Sequence, residues 1–119
     1  MVYLDRGYAN LGLNKQDIAI QEFDQAIALK PDYAYLYLSR GMAKINNDKS
    51  SALEDFNQVI RLDPSSGDGY AGRGIAYGIL SNQKKATEDI QKAMTIYEQQ
   101  GKTEEIKKFK ENFSQFLEI

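Results

Sequence analysis

The sequence predicts an all-α fold, a superhelical stack of three helix-turn-helix repeats followed by a C-terminal capping helix. Three observations support this prediction. The motif Tyr-x-x-Arg-Gly occurs three times, as YLDRG, YLSRG and YAGRG, and its glycines are 34 and 33 residues apart. Apolar residues after each motif recur at the spacing of helical faces. The last part of the chain carries one further apolar stripe, which is typical of an amphipathic helix.

The recurring positions divide a single domain into repeats of about residues 1–33, 34–66 and 67–100. Each repeat has an alanine, a large apolar residue four positions later, and a small or β-branched residue three positions after that. These core positions are Ala19, Phe23 and Ala26, then Ala52, Phe56 and Val59, then Ala86, Ile90 and Ala93. Pro31 and Pro64 end the first two repeats, because proline cannot continue a helix.

Each repeat is predicted to contain two helices joined by a short loop. Asn14, Asn47 and Asn82 lie in these loops, and asparagine tolerates the left-handed conformation that often ends a helix. The motif glycine is expected to let the first helix approach the second closely, opposite the small alanine. The packing energy of this close contact must offset the roughly 1 kcal/mol that each glycine costs in helix propensity.

The order of these positions resembles the tetratricopeptide repeat, a helix pair of 34 residues with a fixed series of aromatic, small and proline positions. The middle repeat carries the whole series: Tyr37, Gly41, Ala52, Phe56, Val59 and Pro64. The resemblance covers about residues 1–97, with tyrosine in place of the family's tryptophan, and with Asn10 and Lys44 where a large aromatic is usual. It implies a protein-interaction scaffold or adaptor in which the first helices line a concave groove for partner peptides.

The groove positions implied by the resemblance lie six and three residues before each motif glycine, and one and four after it, on one helical face. They are Met1, Leu4, Tyr8 and Leu11, then Tyr35, Leu38, Met42 and Ile45, then Asp68, Ala71, Ile75 and Gly78. All except Asp68 and Gly78 are apolar or aromatic, and an apolar stripe facing solvent predicts a binding site. The alternative is that packing between adjacent first helices buries part of the stripe.

The composition of the groove predicts which partner it accepts. Family members that grip the carboxylate tails of heat-shock chaperones line this groove with Lys, Asn and Arg, whereas Leu, Tyr and Met stand here. We therefore expect a protein or peptide partner with an apolar segment, either an amphipathic helix or an extended hydrophobic peptide. Two alternatives remain open: self-association into a homo-oligomer, and a regulatory fragment of a larger protein.

An acidic residue accompanies the arginine of each motif at the same register. The predicted structural ion pairs join Arg6 with Glu22, Arg40 with Asp55, and Arg73 with Asp89, either within one repeat or with the equivalent acid of a neighbouring repeat. A half-buried guanidinium without a partner would be costly, and its planar fork fits a carboxylate. The alternative is that the three arginines recognise an acidic ligand.

The capping helix is predicted over residues 103–118. Its apolar face consists of Ile106, Phe109, Phe113, Phe116 and Leu117. Gly101 is expected to end the preceding helix, which runs to about Gln100. Stacked repeats need a terminal helix to cover the last apolar face. The alternative is an amphipathic helix for a membrane or a partner.

Composition argues against several functional classes. The net charge is −2, which gives no general attraction to nucleic acid, and the 119 residues include no cysteine and no histidine. We therefore expect no cofactor, no metal and no catalysis. No apolar run is long enough to span a membrane, and the start lacks a signal-peptide pattern, so a cytoplasmic location is expected. The segment GDGYAG fits G-x-G-x-x-G, but a predicted helix rather than a strand precedes it, which argues against nucleotide binding.

Overall fold

The computed structural model describes residues 16–114. The predicted first helix lies outside the described residues, as do Met1, Leu4, Arg6, Tyr8, Leu11, Asn14, Phe116 and Leu117. Within residues 16–114 all regular secondary structure is α-helical, which confirms the all-α prediction. The helices are α1 (Gln16–Leu29), α2 (Ala34–Lys44), α3 (Lys49–Leu62), α4 (Gly67–Ile79), α5 (Gln83–Gln99) and α6 (Thr103–Asn112).

The helices stack in chain order. Each helix packs against the next one along the chain, and α2 also packs against α4. In the repeat scheme, α2 and α4 are the first helices of the second and third repeats, whereas α3 and α5 are their second helices. The contact between α2 and α4 places one face of both first helices side by side, which is the arrangement that a continuous groove requires.

The core positions of the repeats are fully buried. Phe23 and Phe56 have no exposed surface, and Ile90 is 1% exposed. The small residues around them are equally buried: Ala19, Ala26, Ala52, Val59, Ala86 and Ala93. Burying an aromatic or branched side chain contributes roughly 1.5–3 kcal/mol, so these positions supply much of the driving force for stacking.

The motif glycines allow close helix packing, although the neighbour differs from the one predicted. A Cβ atom on Gly41 would lie 2.9 Å from Cε1 of Phe56, and one on Gly74 would lie 2.9 Å from Cδ1 of Ile90. The large core residue of the second helix therefore occupies the space beside each glycine. The prediction that the glycine lies opposite the alanine holds only in part, since the carbonyl oxygen of Ala86 is 3.2 Å from the same position on Gly74.

Asn47 and Asn82 lie in the loops, but neither adopts the left-handed conformation that was predicted for them. Ser81, with φ 65°, is the non-glycine residue with positive φ among those described, and Asn47 and Asn82 do not share this conformation. Asn82 is instead the N-cap of α5, where its side chain accepts a hydrogen bond from the backbone N–H of Lys85 at 3.2 Å. An N-cap residue needs a non-helical backbone, so the left-handed turn falls one residue earlier. Gly101, with φ 67°, follows α5 as predicted.

The terminal helix covers the end of the third repeat. Phe109 of α6 is 7% exposed, and its ring lies edge-on to that of Tyr97 with centroids 5.1 Å apart. Ile106 and Phe113 pack against the same apolar cluster. The helix ends at Asn112 rather than at residue 118, with Phe113 as C-cap residue in a non-helical conformation, and residues 115–119 lie outside the described part.

Candidate functional site

A cavity of about 500 Å³ lies between the first helices of the second and third repeats. We call it the groove. It is lined by Tyr35, Leu38, Ser39 and Met42 of α2 and by Asp68, Ala71, Gly72 and Ile75 of α4. The structure thus brings together six of the positions that the sequence placed on one face, three on α2 and three on α4.

The groove has an exposed rim and a packed floor. On the rim, Met42 is 50% exposed and Tyr35 is 43% exposed, although both side chains are largely apolar. On the floor, Leu38 and Ile75 are half-buried and pack against the cluster that contains Phe56. Ala71 is almost fully buried but still lines the cavity. A floor that belongs to the core gives the groove a fixed shape.

Ile45 is not a groove residue, contrary to the sequence prediction. It is 8% exposed and belongs to the core cluster with Ala52, Phe56 and Ala76. It is the C-cap residue of α2, where α3 and α4 close over the helix end. At this position the alternative interpretation of the sequence therefore applies, namely burial between adjacent helices. Gly78 also lies outside the groove lining, with Ala86 of α5 as its neighbour.

Two groove residues, Ser39 and Gly72, were not predicted. Both stand two residues before a motif glycine, so they occupy the same register in successive repeats. Ser39 is 4% exposed. The predicted groove face omitted this register. The signal that could have found it is that Ser39 and Gly72 are both small residues at the same repeat position.

A smaller cavity of about 230 Å³ adjoins the groove and shares Tyr35, Leu38 and Asp68 with it. Its remaining lining is more polar: Ala34, Val59, Asp63, Ser65, Ser66, Gly67, Gln100 and Lys102. The groove is therefore apolar along most of its length and polar at the end where α4 begins.

Tyr97 of α5 fixes the side chain of Asp68 at this polar end. The tyrosine hydroxyl donates a hydrogen bond to Oδ1 of Asp68. Burial raises the pKa of the Tyr97 hydroxyl well above its ordinary value, and the hydrogen bond to Asp68 raises it further. Gly67 allows the tyrosine ring to approach α4, because a Cβ atom there would lie 2.5 Å from Cε1 of Tyr97. The glycines of GDGYAG thus serve helix packing.

The two described motif arginines form the same arrangement in successive repeats. Nε and Nη2 of Arg40 donate to Oδ2 and Oδ1 of Asp55 at 3.0 and 2.7 Å. Nε and Nη2 of Arg73 donate to Oδ2 and Oδ1 of Asp89 at 2.8 and 2.9 Å. Each guanidinium therefore binds its carboxylate through two parallel hydrogen bonds. Arg6 lies outside the described residues, and its predicted partner Glu22 is buried in α1.

Each arginine also reaches the preceding repeat, through a partner residue that the sequence prediction did not name. Nη1 of Arg40 donates to Asp24 at 2.6 Å, and Nη1 of Arg73 donates to Asn57 at 2.9 Å. Asp24 and Asn57 directly follow the large core residues of their repeats. A polar residue at this register in both repeats was the sequence signal for the second partner. The hydrogen bonds to Asp55 and Asp89 raise the pKa of Arg40 and Arg73. The arginines thus connect three helices each.

These arginines do not line the groove. The described lining contains one charged residue, Asp68, and no lysine, arginine or asparagine. Within residues 16–114 no group of three or more acidic, histidine or cysteine side chains is arranged to hold a metal ion. In the same part of the chain, no helix combines the length and the apolar character needed to cross a membrane.

Comparisons with known proteins show which proteins this fold resembles. A family model described as tetratricopeptide repeat matches residues 2–33. A search for similar curated proteins found no match. Among solved structures, the second TPR domain of the human RPAP3 protein in complex with HSP70 peptide SGPTIEEVD is 29% identical, with a TM-score of 0.76. The match covers 91% of this chain and 92% of that one.

Two further structures extend the comparison. The second TPR of Spaghetti (RPAP3) bound to HSP90 peptide SRMEEVD is 28% identical, covers 80% of this chain and 89% of its own, and has a TM-score of 0.76. YrrB, described as a TPR protein with an unusual peptide-binding site, is 25% identical over 79% of this chain and 49% of its own, with a TM-score of 0.75. The repeat fold, the family match over residues 2–33 and these neighbours show that the chain is similar to tetratricopeptide repeat proteins.

Proposed function

We propose that this chain is a non-catalytic protein-interaction scaffold or adaptor that binds an apolar peptide or helix in the groove between α2 and α4. The observation that carries the proposal is the exposure of Met42 and Tyr35 on the rim of an apolar cavity of about 500 Å³. Both residues thus present apolar surface to solvent at the edge of this cavity.

The physical properties of the groove suit a peptide. Its volume falls within the roughly 300–1,000 Å³ of typical ligand sites. Its floor is held by core packing of Leu38 and Ile75, whereas Met42 on the rim has a flexible thioether side chain that adapts to different partners. Binding energy would come from removing apolar surface from water, at about 25 cal/mol per Å². Such binding requires no catalytic group.

The structural neighbours support a peptide ligand. The RPAP3 domains are described as bound to peptides SRMEEVD and SGPTIEEVD, and YrrB as having a peptide-binding site. Both RPAP3 peptides end in acidic residues. The groove of this chain offers the carboxylate of Asp68 and apolar side chains to such a peptide, so we expect a different, apolar specificity here.

Selection from a random library of 12-residue peptides displayed on phage tests the proposal. The wild-type chain should enrich peptides rich in leucine, isoleucine, phenylalanine or methionine. A double variant with Tyr35→Glu and Met42→Glu should keep its helicity, because both positions are exposed, and should lose the enriched peptides. The matched control carries Ile18→Glu and Leu29→Glu, which alter two exposed apolar residues of α1 that do not line the groove.

Two results of this selection would contradict the proposal. One is enrichment of peptides that bind the groove variant as well as the wild type, because the binding site would then lie elsewhere. The other is the absence of any enriched peptide. Sedimentation velocity over a range of protein concentrations tests the self-association alternative, since a dimer lost in the groove variant would make a second copy of this chain the occupant.

A further inference from the structure

We infer that the groove selects apolar segments that carry a lysine or arginine at the end where α4 begins, because Asp68 is positioned there to pair with it. This inference rests on the proposed function and specifies the chemistry of the partner. It depends on three features of the structure. Asp68 is the single charge in the described groove lining, the adjoining cavity is acidic, and the nearby arginines are paired with other residues.

Asp68 is the one charged residue among the described residues that line the groove. It lies in the first turn of α4 and is exposed to solvent. Covering it with a purely apolar segment would remove water from a carboxylate without replacing its hydrogen bonds, which is costly. A lysine or arginine at this point would replace the lost water, whereas an aspartate or glutamate would add repulsion.

The adjoining cavity extends this acidic end. Asp63 and Asp68 both line it, against one cation, Lys102. Ser65 donates to Oδ1 of Asp63 from its backbone N–H at 3.2 Å and from its hydroxyl at 2.8 Å, which orients that carboxylate. A cationic side chain leaving the groove would therefore enter a space of about 230 Å³ with an excess of negative charge.

The nearby arginines do not neutralise Asp68. Arg40 is paired with Asp55 and Asp24, and Arg73 is paired with Asp89 and Asn57, on the opposite side of the first helices from the groove lining. The described partner of Asp68 is the hydroxyl of Tyr97, which is neutral and supplies one donor. A carboxylate accepts up to about four hydrogen bonds, so acceptor capacity remains for a ligand.

The same phage selection tests this inference with two additional variants. In Asp68→Asn, the side-chain oxygen still accepts a hydrogen bond from Tyr97 but the charge is lost. In Tyr97→Phe, the hydrogen bond is lost but the charge remains. The wild type and Tyr97→Phe should enrich peptides with lysine and arginine beside the apolar residues, and Asp68→Asn should not. A synthetic copy of the best basic peptide should bind Asp68→Asn about fivefold more weakly, by fluorescence anisotropy at low salt.

The outcomes separate this inference from the proposed function. Groove-dependent peptides that are neutral or acidic overturn the inference and leave the proposed function intact. A basic preference that persists in Asp68→Asn also overturns it, because another group would then select the charge. If no selected peptide depends on Tyr35 and Met42, the proposed function fails, and the inference fails with it.

Discussion

The ring of Phe56 occupies the space that a side chain on Gly72 would need. A Cβ atom on Gly72 would lie well under 3.0 Å from three atoms of the ring. The same ring limits Gly41, where a Cβ atom would lie 2.9 Å from Cε1. Since Gly41 belongs to the second repeat and Gly72 to the third, one buried phenylalanine of α3 sets the distance between two first helices. That distance also defines the width of the groove.

Substituting Gly72 with alanine should therefore destabilise the stack. We expect Gly72→Ala to lower the free energy of unfolding by about 1–3 kcal/mol, because the ring is fully buried and has little room to move. Gly78→Ala is the matched control in the same helix, where the new Cβ would meet the Cβ of Ala86 at 3.8 Å. That control should gain about 0.5 kcal/mol from helix propensity. Urea denaturation measures both, and equal stabilities would contradict the packing described here.

Removing Arg40 should leave a buried carboxylate without its main partner. Asp55 is 3% exposed, and Lys44, whose Nζ lies 3.4 Å from its Oδ2, compensates only in part. We expect Arg40→Leu to destabilise the chain by about 3 kcal/mol. The control is Arg61→Leu, which removes an exposed arginine bonded to Gln58 within one helix and should cost under about 0.5 kcal/mol. Chemical denaturation that finds the two variants equally stable would rule out a structural role for the pair.

Tyr97 should make stability fall at alkaline pH. Its pKa is raised in the folded chain, so the unfolded chain loses this proton first, near an ordinary value of about 10. The contribution of the protonated Tyr97 hydroxyl to the free energy of unfolding is therefore complete below about pH 10. It is lost as pH rises above about 10, by up to about 1.4 kcal/mol per pH unit. Tyr97→Phe should be about 1 kcal/mol less stable than the wild type at pH 8, and this difference should shrink above pH 10. A difference that stays constant between pH 8 and pH 11 would contradict the assignment.

The capping role of α6 depends mainly on Phe109. This ring is buried against Tyr97, so Phe109→Ala should cost about 3 kcal/mol and expose the apolar face of the third repeat. Lys108→Ala, an adjacent exposed position, should be neutral. Thermal melting and dye binding to exposed apolar surface compare the two variants. If the melting temperature is unchanged in Phe109→Ala, α6 is not a cap and is free to act as a partner-binding helix.

The repeat pattern made the fold predictable from the sequence. Phe23, Phe56 and Ile90 recur at one register and are all buried, because each repeat must bury its large side chain against the next helix. The pairing of Arg40 with Asp55 and of Arg73 with Asp89 followed from the same register. A chain without internal repeats would have offered no such comparison between equivalent positions.

Other features depend on how the repeats are placed in space. Ile45 has the helical register of a groove residue, yet α3 and α4 close over it, and this closure follows from the packing of Phe56 and Ala76. The contacts of Arg40 with Asp24 and of Arg73 with Asn57 cross between repeats, so the pattern within one repeat did not reveal them. Local helix rules fix neither the twist of the stack nor the width of the groove.

The methyl group of Met42 gives the most direct test of the groove. Met42 is 50% exposed on the rim of the groove, whereas Met94 is 7% exposed in the core and serves as an internal control. The chain is labelled with ¹³C at the methionine methyl groups, the Met42 signal is assigned with Met42→Leu, and the best phage-selected peptide is titrated in. The predicted result is a saturable shift of the Met42 signal with little change at Met94. A peptide that binds without moving the Met42 signal would contradict the groove as the binding site.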